Sequence, residues 1–370
     1  MAGIYIHIPF CKQACIYCNF HFEKGKKNIP ILIDAICKEI ELRQNETNEK
    51  IETIYFGGGT PSYIEVNFIE KIISKINKNF TTGKRIEITL EANPDDITKE
   101  ILTEWKNIGI NRLSIGVQSF FDSHLKWMNR AHNVSQAMEC IQLAKSLNFQ
   151  LSIDLIFGIP IANNDEWIKN LKTIENLSPE HISCYGLTLE ENTPWSKLIA
   201  QKKYPNLNED ITSEQFILAH DFLEANGYTH YEISNYAKKN QFAVHNSSYW
   251  KGKTYLGFGP SAHSFNQNER YWNIADNQQY QTSINANILP QEREKLSITD
   301  IFNETIMIGL RTMWGIDVNK LKSLNTNLKS FYKTITTYKN KGWINSSESS
   351  ITLTKEGMLY ADKISSSLFI

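Results

Sequence analysis

Short apolar runs alternate with stretches of helical periodicity along the first two-thirds of the chain. Runs of about four to eight β-branched and aromatic residues indicate strands, and apolar positions spaced three and four residues apart indicate amphipathic helices. The predicted strands are Ile4–Ile8, Ile51–Phe56, Ile86–Glu91, Arg112–Gln118, Leu151–Phe157, His181–Thr188 and Tyr228–Ser234. Because strand and helix alternate repeatedly, we expect a parallel α/β sheet that closes fully or partly into a barrel.

The carboxyl-terminal part has a different pattern. It begins with the helical stretch Asp300–Arg311 and continues with the lysine-rich stretch Lys320–Lys341, which we interpret as a helix. Two short apolar runs follow, Gly342–Asn345 and Ile351–Gly357, and this order predicts a small α+β domain of winged-helix shape. The expected organisation is a barrel over 1–235, a connecting segment over 236–295 and the winged-helix-like domain over 296–370.

Charge and composition narrow the classes of function. The net charge of −1 argues against a general attraction to nucleic acid. The six lysines of Lys320–Lys341 have no acidic residue among them, which favours a solvated helix face over a nucleic-acid patch. The sequence has neither a signal-peptide pattern nor an apolar stretch of about 18 residues, so we expect a cytoplasmic protein, whose thiols stay reduced.

Three cysteines follow the first predicted strand closely. Cys11, Cys15 and Cys18 have the spacing C-x3-C-x2-C, and Tyr17 precedes the last of them. Three thiolates can each bind one iron of a [4Fe–4S] cube and leave the fourth iron open to a small molecule. The sequence therefore predicts a cluster site with one ligand position available.

Spacing alone leaves two other interpretations of these cysteines: a zinc site, and buried thiols without metal. His7 and His21 are near, but neither forms the paired spacing typical of a zinc finger. The remaining cysteines, Cys37, Cys140 and Cys184, stand singly in apolar stretches, which indicates small buried side chains.

Further polar motifs lie at the ends of the predicted strands, where parallel barrels concentrate their chemistry. They are Gly57–Pro61, Leu90–Pro94, Ser114–Ser119, Asn129–Arg130 and Ile153–Pro160. The glycines let the backbone approach a ligand. Gln118 and Asp154 end or interrupt apolar strands, where an unpaired polar group costs about 1–3 kcal/mol, so we expect each to have a partner. Asp95–Thr98, just after the second motif, is typical of a helix cap.

The cysteine spacing after the first strand resembles that of the radical S-adenosylmethionine (SAM) superfamily, in which the methionine amine and carboxylate chelate the open iron. This resemblance implies an incomplete (β/α)6 barrel, in agreement with the strand and helix pattern. The ordered series of motifs, from Tyr5 to about the end of the chain, resembles one branch of that superfamily. The branch comprises the oxygen-independent coproporphyrinogen III oxidases and the related HemW-type haem chaperones.

The resemblance also implies the site residues, position by position. The implied cluster ligands are Cys11, Cys15 and Cys18. The implied cofactor-binding residues are Tyr5, the backbone of Tyr17, Gly58, Gly59, Thr60, Glu91, Gln118, Arg130 and Asp154. The glycines and Thr60 would meet the methionine part of SAM, and the acids would meet its ribose hydroxyls or its ammonium group. Arg130 would meet the carboxylate, which suits a guanidinium fork.

Two absences favour the haem chaperones within this branch. The oxidases carry a further cysteine two residues after the triad, whereas Asn19 and Phe20 follow Cys18 here. The oxidases also carry a substantial amino-terminal extension, whereas the first predicted strand of this sequence begins at Ile4.

One positive feature agrees with these absences. Residues His245–Trp250 resemble the H-N-x-x-Y-W element of the HemW-type group. Histidine is a common axial ligand of haem iron, and aromatic neighbours suit a porphyrin. The resemblance makes His245 the first candidate ligand and His263 the second, while a hydrogen-bonded structural histidine is the alternative interpretation.

We therefore expect a haem chaperone that binds a [4Fe–4S] cluster, SAM and haem and passes haem to recipient proteins, among them membrane-associated ones. We expect no oxidation of coproporphyrinogen and no nucleic-acid binding; a monomer and a dimer are equally compatible with the sequence. One alternative is a radical SAM enzyme, acting on coproporphyrinogen III or on another substrate. A nucleic-acid-binding regulator is a third class, which rests only on the carboxyl-terminal shape and its lysines.

Overall fold

The computed structural model describes residues 1–324 and 328–370. The strands are β1 (Ala2–Ile8), β2 (Phe10–Cys11), β3 (Glu23–Lys24), β4 (Ile51–Gly58), β5 (Thr82–Ala92), β6 (Arg112–Gln118), β7 (Gln150–Phe157), β8 (His181–Gly186), β9 (Thr229–Glu232), β10 (Asn235–Ala237), β11 (Tyr255–Phe258), β12 (His263–Phe265), β13 (Glu269–Asn273), β14 (Gln291–Lys295), β15 (Ile316–Asp317), β16 (Ile344–Ser346) and β17 (Ser350–Leu353). The helices are α1 (Ile29–Leu42), α2 (Val66–Asn79), α3 (Lys99–Asn107), α4 (Asp122–Trp127), α5 (Val134–Ser146), α6 (Asn164–Leu177), α7 (Pro194–Ala200), α8 (Glu209–Ala225), α9 (Val244–Trp250), α10 (Asn277–Asn285), α11 (Ile298–Leu310), α12 (Val318–Leu324), α13 (Lys329–Asn340), α14 (Lys355–Met358) and α15 (Ala361–Ser367). Short 3-10 helices occupy Pro61–Tyr63 and Pro94–Asp96.

A twelve-stranded sheet organises most of the chain, in the order β14-β13-β12-β11-β1-β4-β5-β6-β7-β8-β10-β9. The strands from β1 through β4, β5, β6 and β7 to β8 are parallel neighbours, and helices connect most of them. The order has two ends, so the sheet is a partial barrel rather than a closed one. The predicted α/β class, with six parallel strands, is confirmed.

The seventh predicted strand, Tyr228–Ser234, is present in the structure, but it pairs with a short strand that the sequence did not predict. It forms β9 and pairs antiparallel with β10, which itself lies antiparallel to β8. A parallel strand beside β8 would need a crossover between the two, whereas β9 and β10 are separated by two residues and form a hairpin. Six of the seven predicted strands are therefore parallel neighbours, as the incomplete (β/α)6 barrel requires, and the seventh belongs to an antiparallel hairpin.

The segment 236–295 supplies strands that the sequence did not predict. β11 runs parallel to β1, and β12, β13 and β14 extend the sheet antiparallel from it. β14 has the sequence Gln-Glu-Arg-Glu-Lys and is mostly exposed, so no apolar alternation marks it as a strand. The domain boundaries at 235 and 295 stay predictions, with the added fact that the segment between them belongs to the barrel sheet.

Helices cover the outer face of the parallel strands. In α2 the isoleucines at 69, 72, 73 and 76 are buried, and their spacing of three and four residues places them on one helix face. Burying each such side chain stabilises the fold by about 1.5–3 kcal/mol relative to exposure. This packing holds the strands in register and so fixes the loops at their carboxyl ends.

A buried ion pair joins the strand extension to the barrel. Arg43 at the end of α1 donates to Glu39 Oε1 at 2.7 Å, to the Gly257 carbonyl at 2.6 Å and to Ser264 Oγ at 3.0 Å. Tyr280 of α10 donates to Glu39 Oε2 at 2.5 Å. Because both charges are buried and hydrogen-bonded, the network specifies how β11 and β12 dock on α1.

The carboxyl-terminal unit has its own apolar core and a three-stranded sheet in the order β15-β17-β16. The predicted helix Asp300–Arg311 is confirmed as α11 (Ile298–Leu310). The lysine-rich stretch Lys320–Lys341 forms two helices, α12 and α13, instead of the expected one; its residues 325–327 lie outside the described part. Helices with a small antiparallel sheet make the winged-helix-like shape that the sequence predicted.

Among the helices of the described residues, none is both long and apolar enough to cross a membrane.

Candidate functional site

The cysteine loop lies directly after β1 and lines a cavity of about 420 Å³ at the carboxyl ends of the parallel strands. Cys11 is buried, and Cys15 and Cys18 are partly buried. Thr60 Oγ1 donates to Cys11 Sγ at 3.4 Å, and Arg130 Nη1 donates to Cys15 Sγ at 3.3 Å. Burial raises the pKa of the Cys11 thiol to about 11, so a metal must displace its proton on binding.

The donor set suits a cube of iron and sulfur rather than one ion. In such a cube each thiolate binds its own iron, so the three sulfurs need to share a cavity without surrounding a common centre. All three sulfurs border the same cavity. Within residues 1–324 and 328–370, no group of three or more His, Cys, Asp or Glu is arranged to hold a single metal ion.

A glycine turn after β4 forms the floor beside the cysteines. Gly58 has a φ of +109°, a conformation that favours glycine, and its N–H donates to Glu91 Oε2 at 3.2 Å. A Cβ atom on Gly59 would lie 2.7 Å from the Phe10 carbonyl oxygen, so no side chain fits there. The turn therefore presents bare backbone to the cavity, which matches the expected approach of a ligand's polar end.

Two half-buried carboxyl groups also line the cavity, and one of them contacts the glycine turn. Glu91 ends β5 and accepts from the Tyr55 hydroxyl at 2.7 Å; burial raises the pKa of Glu91 to about 7. Asp154 of β7 accepts from Ser114 Oγ at 3.1 Å, and burial raises its pKa to about 6. The expected partner of Asp154 is thus present. With these pKa values, each group can be protonated or ionised near neutral pH. The ionised form can accept hydrogen bonds from hydroxyl or ammonium groups.

Arg130 connects the cysteine loop with the strand ends. Its Nη2 donates to Asn93 Oδ1 at 2.6 Å and to the Gly116 carbonyl at 2.8 Å, while Nη1 faces Cys15. Its Nε is buried and has no hydrogen-bond partner among the described residues. A fixed guanidinium with an unpartnered donor is suited to a carboxylate ligand.

Asn129, which precedes Arg130, fastens the cysteine loop. Its Nδ2 donates to the Ala14 carbonyl at 2.7 Å, and Gln13 Nε2 donates to both Asn129 O and Asn129 Oδ1 at 2.9 Å. Asn129 has a φ of +57°, the left-handed conformation that asparagine tolerates better than most residues. The loop and the arginine are therefore held by one turn.

Most of the sequence-predicted residues meet at this cavity. Those that line it are Cys11, Cys15, Cys18, Tyr17, Gly58, Gly59, Thr60, Glu91, Gln118, Arg130 and Asp154. Gln118 ends β6 with a φ of +67°, and its amide has no protein partner in the described ranges, contrary to the expectation that it would have one. Its place in the cavity wall leaves that amide available to a ligand.

Tyr5 and His245 lie elsewhere. Both line a second cavity, of about 390 Å³, bordered by aromatic side chains from several elements. The lining residues are Tyr5, Tyr55, Tyr185, Glu232, Ser234, Asn235, His245, Asn246, Tyr249, Trp250 and Arg311. Tyr185 lines both cavities. Tyr5 is thus not in the lining of the first cavity, and its place beside SAM stays a prediction, as does the role of His245 as a haem ligand.

His245 is a buried residue whose two ring nitrogens are both hydrogen-bonded. Nδ1 lies 2.7 Å from Thr53 Oγ1, and Nε2 lies 2.7 Å from the Tyr249 hydroxyl. Burial, together with the positive charge of Arg112, lowers the pKa of His245 to about 3, so the imidazole is neutral. This arrangement corresponds to the hydrogen-bonded structural histidine of the sequence analysis, and iron could bind His245 only after one of these bonds opens.

His263 differs from His245 in exposure and in hydrogen bonding. It is exposed at the start of β12, and its ring stacks on Trp272 with a centroid distance of 5.8 Å. No side-chain hydrogen bond of His263 occurs within the described residues. The second candidate is thus the more accessible of the two histidines.

Several residues of these sites escaped the sequence prediction, among them Tyr55, Asn93 and Tyr185. Asn93 lies within the motif Leu90–Pro94, and Tyr185 lies within the predicted strand His181–Thr188. Their position near strand ends could have indicated them. Tyr55 stands two residues before Gly57 on the same face of β4. Only its spacing from the glycines could have indicated it.

Comparison with known proteins agrees with this geometry. Residues 5–174 match the Radical SAM superfamily, and residues 296–360 match the HemN C-terminal domain. The partial barrel, the cysteine loop and the cavity beside it define a radical SAM protein, a class whose members carry a [4Fe–4S] cluster and SAM.

The relatives narrow the class. The chain is 30% identical to the heme chaperone HemW of Synechocystis, an alignment that covers 99% of this chain and 95% of the relative. It is also 30% identical to the heme chaperone HemW of Bacillus subtilis, with 98% of each chain covered. A zebrafish (Danio rerio) protein, radical S-adenosyl methionine domain-containing protein 1, is 34% identical over 71% of this chain and 60% of its own length. This chain belongs to the HemW family of radical SAM proteins.

Among solved structures, coproporphyrinogen III oxidase HemN of Escherichia coli is similar in fold. Its TM-score is 0.86 at 21% sequence identity, and the match covers 100% of this chain and 90% of that protein. At this identity the likeness concerns the fold alone, including the carboxyl-terminal unit.

Proposed function

We propose that this chain is a haem chaperone that holds a [4Fe–4S] cluster and SAM in the first cavity, binds haem at the second and passes haem to recipient proteins. The observation that carries the proposal is the second cavity itself: an aromatic site, adjoining the cofactor cavity at Tyr185, that holds the family's H-N-x-x-Y-W element. Kinship to HemW chaperones over nearly the whole chain supports the same conclusion.

The chemistry of the second cavity suits a flat, conjugated ligand with acidic side chains. Tyr5, Tyr55 and Trp250 offer aromatic faces. Arg311, from the carboxyl-terminal unit, lies 5.4 Å from the Trp250 ring and has only long ion pairs, at 3.4 Å to Glu232 and 3.5 Å to Asp362. Its guanidinium therefore retains donors for a carboxylate such as a haem propionate.

We propose His245 as the iron ligand, since neutral imidazole is the form that binds a metal. Binding would exchange the Tyr249–His245 hydrogen bond for a bond to iron. Opening a buried hydrogen bond of this kind costs about 1–3 kcal/mol, which a metal–ligand bond can offset. His263 is the alternative ligand, because it is exposed and needs no such exchange.

In the first cavity, the proposed roles follow the geometry. The backbone of Gly58 and Gly59 would hold the methionine end of SAM, and Arg130 would bind its carboxylate. Glu91 and Asp154 would accept bonds from its ammonium or hydroxyl groups. When bound, the cluster supplies the electron for reductive cleavage of SAM. The surrounding residues exclude water and keep the cofactor beside the cysteine loop.

Haem titration of the anaerobically reconstituted protein tests the proposal. We expect a Soret band that saturates for wild type and weakens or shifts for His245→Ala. The matched variant His263→Ala should behave as wild type. If instead only His263→Ala loses the band, the ligand assignment is wrong while the chaperone function stands. Absence of any saturable Soret band in wild type would contradict haem binding.

A second candidate function is a radical SAM enzyme, because the cofactor cavity contains every residue expected of one except Tyr5. Anaerobic incubation with coproporphyrinogen III separates the candidates. The chaperone proposal expects the porphyrinogen to be recovered unchanged, whereas its stoichiometric conversion would establish an oxidase. Measuring 5′-deoxyadenosine in the same samples, with and without haem, would reveal turnover on any other substrate.

Recipients are proposed to be haem-free proteins, including membrane-associated ones, and nucleic acid is proposed not to be a partner. A gel shift over a range of salt concentrations tests the latter: salt-sensitive retardation of DNA or RNA by the protein would contradict it. The winged-helix-like shape and the six lysines of Lys320–Lys341 are the features that favour such binding.

A further inference from the structure

Tyr55 lies between the two cavities and contacts a key residue of each. Its hydroxyl donates to Glu91 Oε1 at 2.7 Å, and Glu91 lines the first cavity. Its ring stacks on the His245 ring, with a centroid distance of 5.0 Å and an interplanar angle of 23°, and both rings line the second cavity. One side chain thus touches a cofactor-site carboxyl and a haem-site imidazole.

Tyr55 belongs to β4, and further contacts along β4 and its neighbour β1 extend from Tyr55 toward each cavity. β1 and β4 pair in register, with Gly3 opposite Thr53, Tyr5 opposite Tyr55 and His7 opposite Gly57. Alternate residues of a strand share a face, so these three pairs form one strip. At one end of the strip, Thr53 is hydrogen-bonded to His245.

At the other end, Gly57 leaves no spare room. A Cβ atom there would lie 2.9 Å from the Tyr55 ring and 3.1 Å from Glu91 Oε1. Gly58, whose N–H donates to Glu91, follows directly. The strip is therefore packed without a gap from the second cavity to the glycine turn, and close-packed interiors transmit small displacements.

We propose that Tyr55 is a positioning residue shared by both sites: its hydroxyl orients Glu91, its ring orients His245, and occupancy of either cavity changes the affinity of the other. The link between cavities rests on the function proposed for the second cavity. The orientation of Glu91 by Tyr55 does not, because it concerns the first cavity alone.

The physical basis is competition for one carboxylate. A cofactor that donates hydrogen bonds to Glu91 competes with the Tyr55 hydroxyl, and any shift of Tyr55 moves the ring on which His245 rests. Linkage requires the effect to be equal in both directions. Coupling between two sites is typically worth about 5-fold or more in affinity, and we expect at least that here.

The test uses full-length, cluster-reconstituted protein with SAM and zinc protoporphyrin IX, a porphyrin without redox chemistry. SAM dissociation constants are measured by equilibrium dialysis with and without saturating porphyrin, and porphyrin constants by fluorescence with and without SAM. The variant is Tyr55→Phe. The matched control is Tyr228→Phe, which removes a hydroxyl that donates to the Pro179 carbonyl at 2.8 Å, outside the linings of both cavities.

For wild type and the control, we expect each ligand to change the other's affinity by the same factor, about 5-fold or more. For Tyr55→Phe we expect a factor near one. Gly57→Ala provides a second perturbation, since its methyl group presses on Tyr55 and Glu91, and it should also reduce the factor. Cluster absorbance and melting temperature verify that each variant is folded.

Each result distinguishes the claims. If wild type binds porphyrin but neither ligand changes the affinity of the other, the proposed link between the cavities is wrong, while the proposed function stands. If the affinities remain linked in Tyr55→Phe, the role of Tyr55 in that link is wrong. No porphyrin binding by wild type contradicts both the proposed function and the link. In every case SAM affinity decides on the orientation of Glu91: the changes in SAM affinity caused by Tyr55→Phe and Glu91→Gln should not add in the double variant, and full additivity would contradict that role.

Discussion

The two cavities adjoin but are built in different ways. The first lies at the carboxyl ends of parallel strands, so its wall consists of successive loop and strand-end residues from β1 to β8, with charged side chains among them. The second is largely aromatic and draws on β1, β4, β8, the β9–β10 hairpin, α9 and the carboxyl-terminal unit. One contains two half-buried carboxyl groups whose pKa values are raised to about 7 and about 6, the other a histidine whose pKa is lowered to about 3.

This difference indicates a division of labour. Titratable acids, a fixed arginine and bare backbone suit a small, charged cofactor held tightly beside a cluster. An aromatic cavity bordered by Arg311 of the carboxyl-terminal unit suits a flat ligand that has to enter and leave. Perturbing the first cavity should therefore leave porphyrin binding saturable, with its affinity changed only by the factor of about 5-fold or more that the link through Tyr55 carries.

The largest expected effect is that of Cys15→Ala. Removing one of three thiolates should reduce bound iron from about four per chain to near zero, because the cube loses a ligand. SAM binding should be lost with it, whereas zinc protoporphyrin should still saturate the second cavity. Iron and sulfide analysis and porphyrin fluorescence measure both. The control is Cys37→Ala, a buried cysteine of α1; equal iron loss there would mean that the effect is not specific to the loop.

Arg130→Lys should follow in size. A lysine cannot make the separate contacts that the two Nη atoms of Arg130 make with Asn93, Gly116 and Cys15. We expect SAM affinity to fall roughly 10- to 100-fold, in line with the loss of a charge-assisted hydrogen bond. Equilibrium dialysis checks this, with exposed Arg85→Lys as the control. An unchanged dissociation constant would remove Arg130 from the cofactor site.

The pH dependence should also separate the cavities. The folded pKa of Glu91 is raised to about 7, so Glu91 is protonated below that pH and an anion above it. A ligand that donates to the anion should bind about tenfold more tightly at about pH 8 than at about pH 6. Porphyrin binding should show no step from His245, whose pKa is about 3.

This pH step has its own control. Glu91→Gln should flatten the SAM profile between those two pH values, while the residual slope reports Asp154, whose pKa is about 6. A profile that keeps its full step in the variant would assign the titration to another group.

The smallest effect is expected for Asn129→Gly. Glycine keeps the left-handed backbone but removes the amide that binds Ala14 and Gln13, a loss of about 0.5–1.5 kcal/mol. The thiols of the cluster-free loop should then be alkylated about 2- to 10-fold faster, as followed by mass spectrometry. Asn287→Gly, at a φ of +59° in the loop after α10, is the matched control. Equal acceleration in both variants would deny Asn129 its specific role.

The first cavity could be predicted from the sequence because each of its motifs follows its own strand, and strand ends of a parallel sheet meet at one edge. Eleven predicted residues line it. The six parallel strands were predictable for a related reason: they are buried apolar runs with helices between them.

The second cavity could not be derived in this way. His245 and Thr53 are 192 residues apart, and nothing local announces that they share a hydrogen bond. Tyr5, whose place beside SAM stays a prediction, lies on the β1–β4 strip next to Tyr55, with their ring centroids 6.1 Å apart. The antiparallel β12–β14 extension was equally hidden, because β14 carries charged, exposed residues rather than an apolar period.

The central claim, that haem is carried and handed on intact, is tested most directly by transfer kinetics. Haem-loaded protein is mixed with a b-type apocytochrome at several concentrations, and apomyoglobin measures spontaneous release. The account predicts a transfer rate that rises with apocytochrome concentration and exceeds the release rate, with all haem recovered unaltered. Equal rates for both acceptors, independent of concentration, would reduce the chain to passive haem binding and contradict a chaperone.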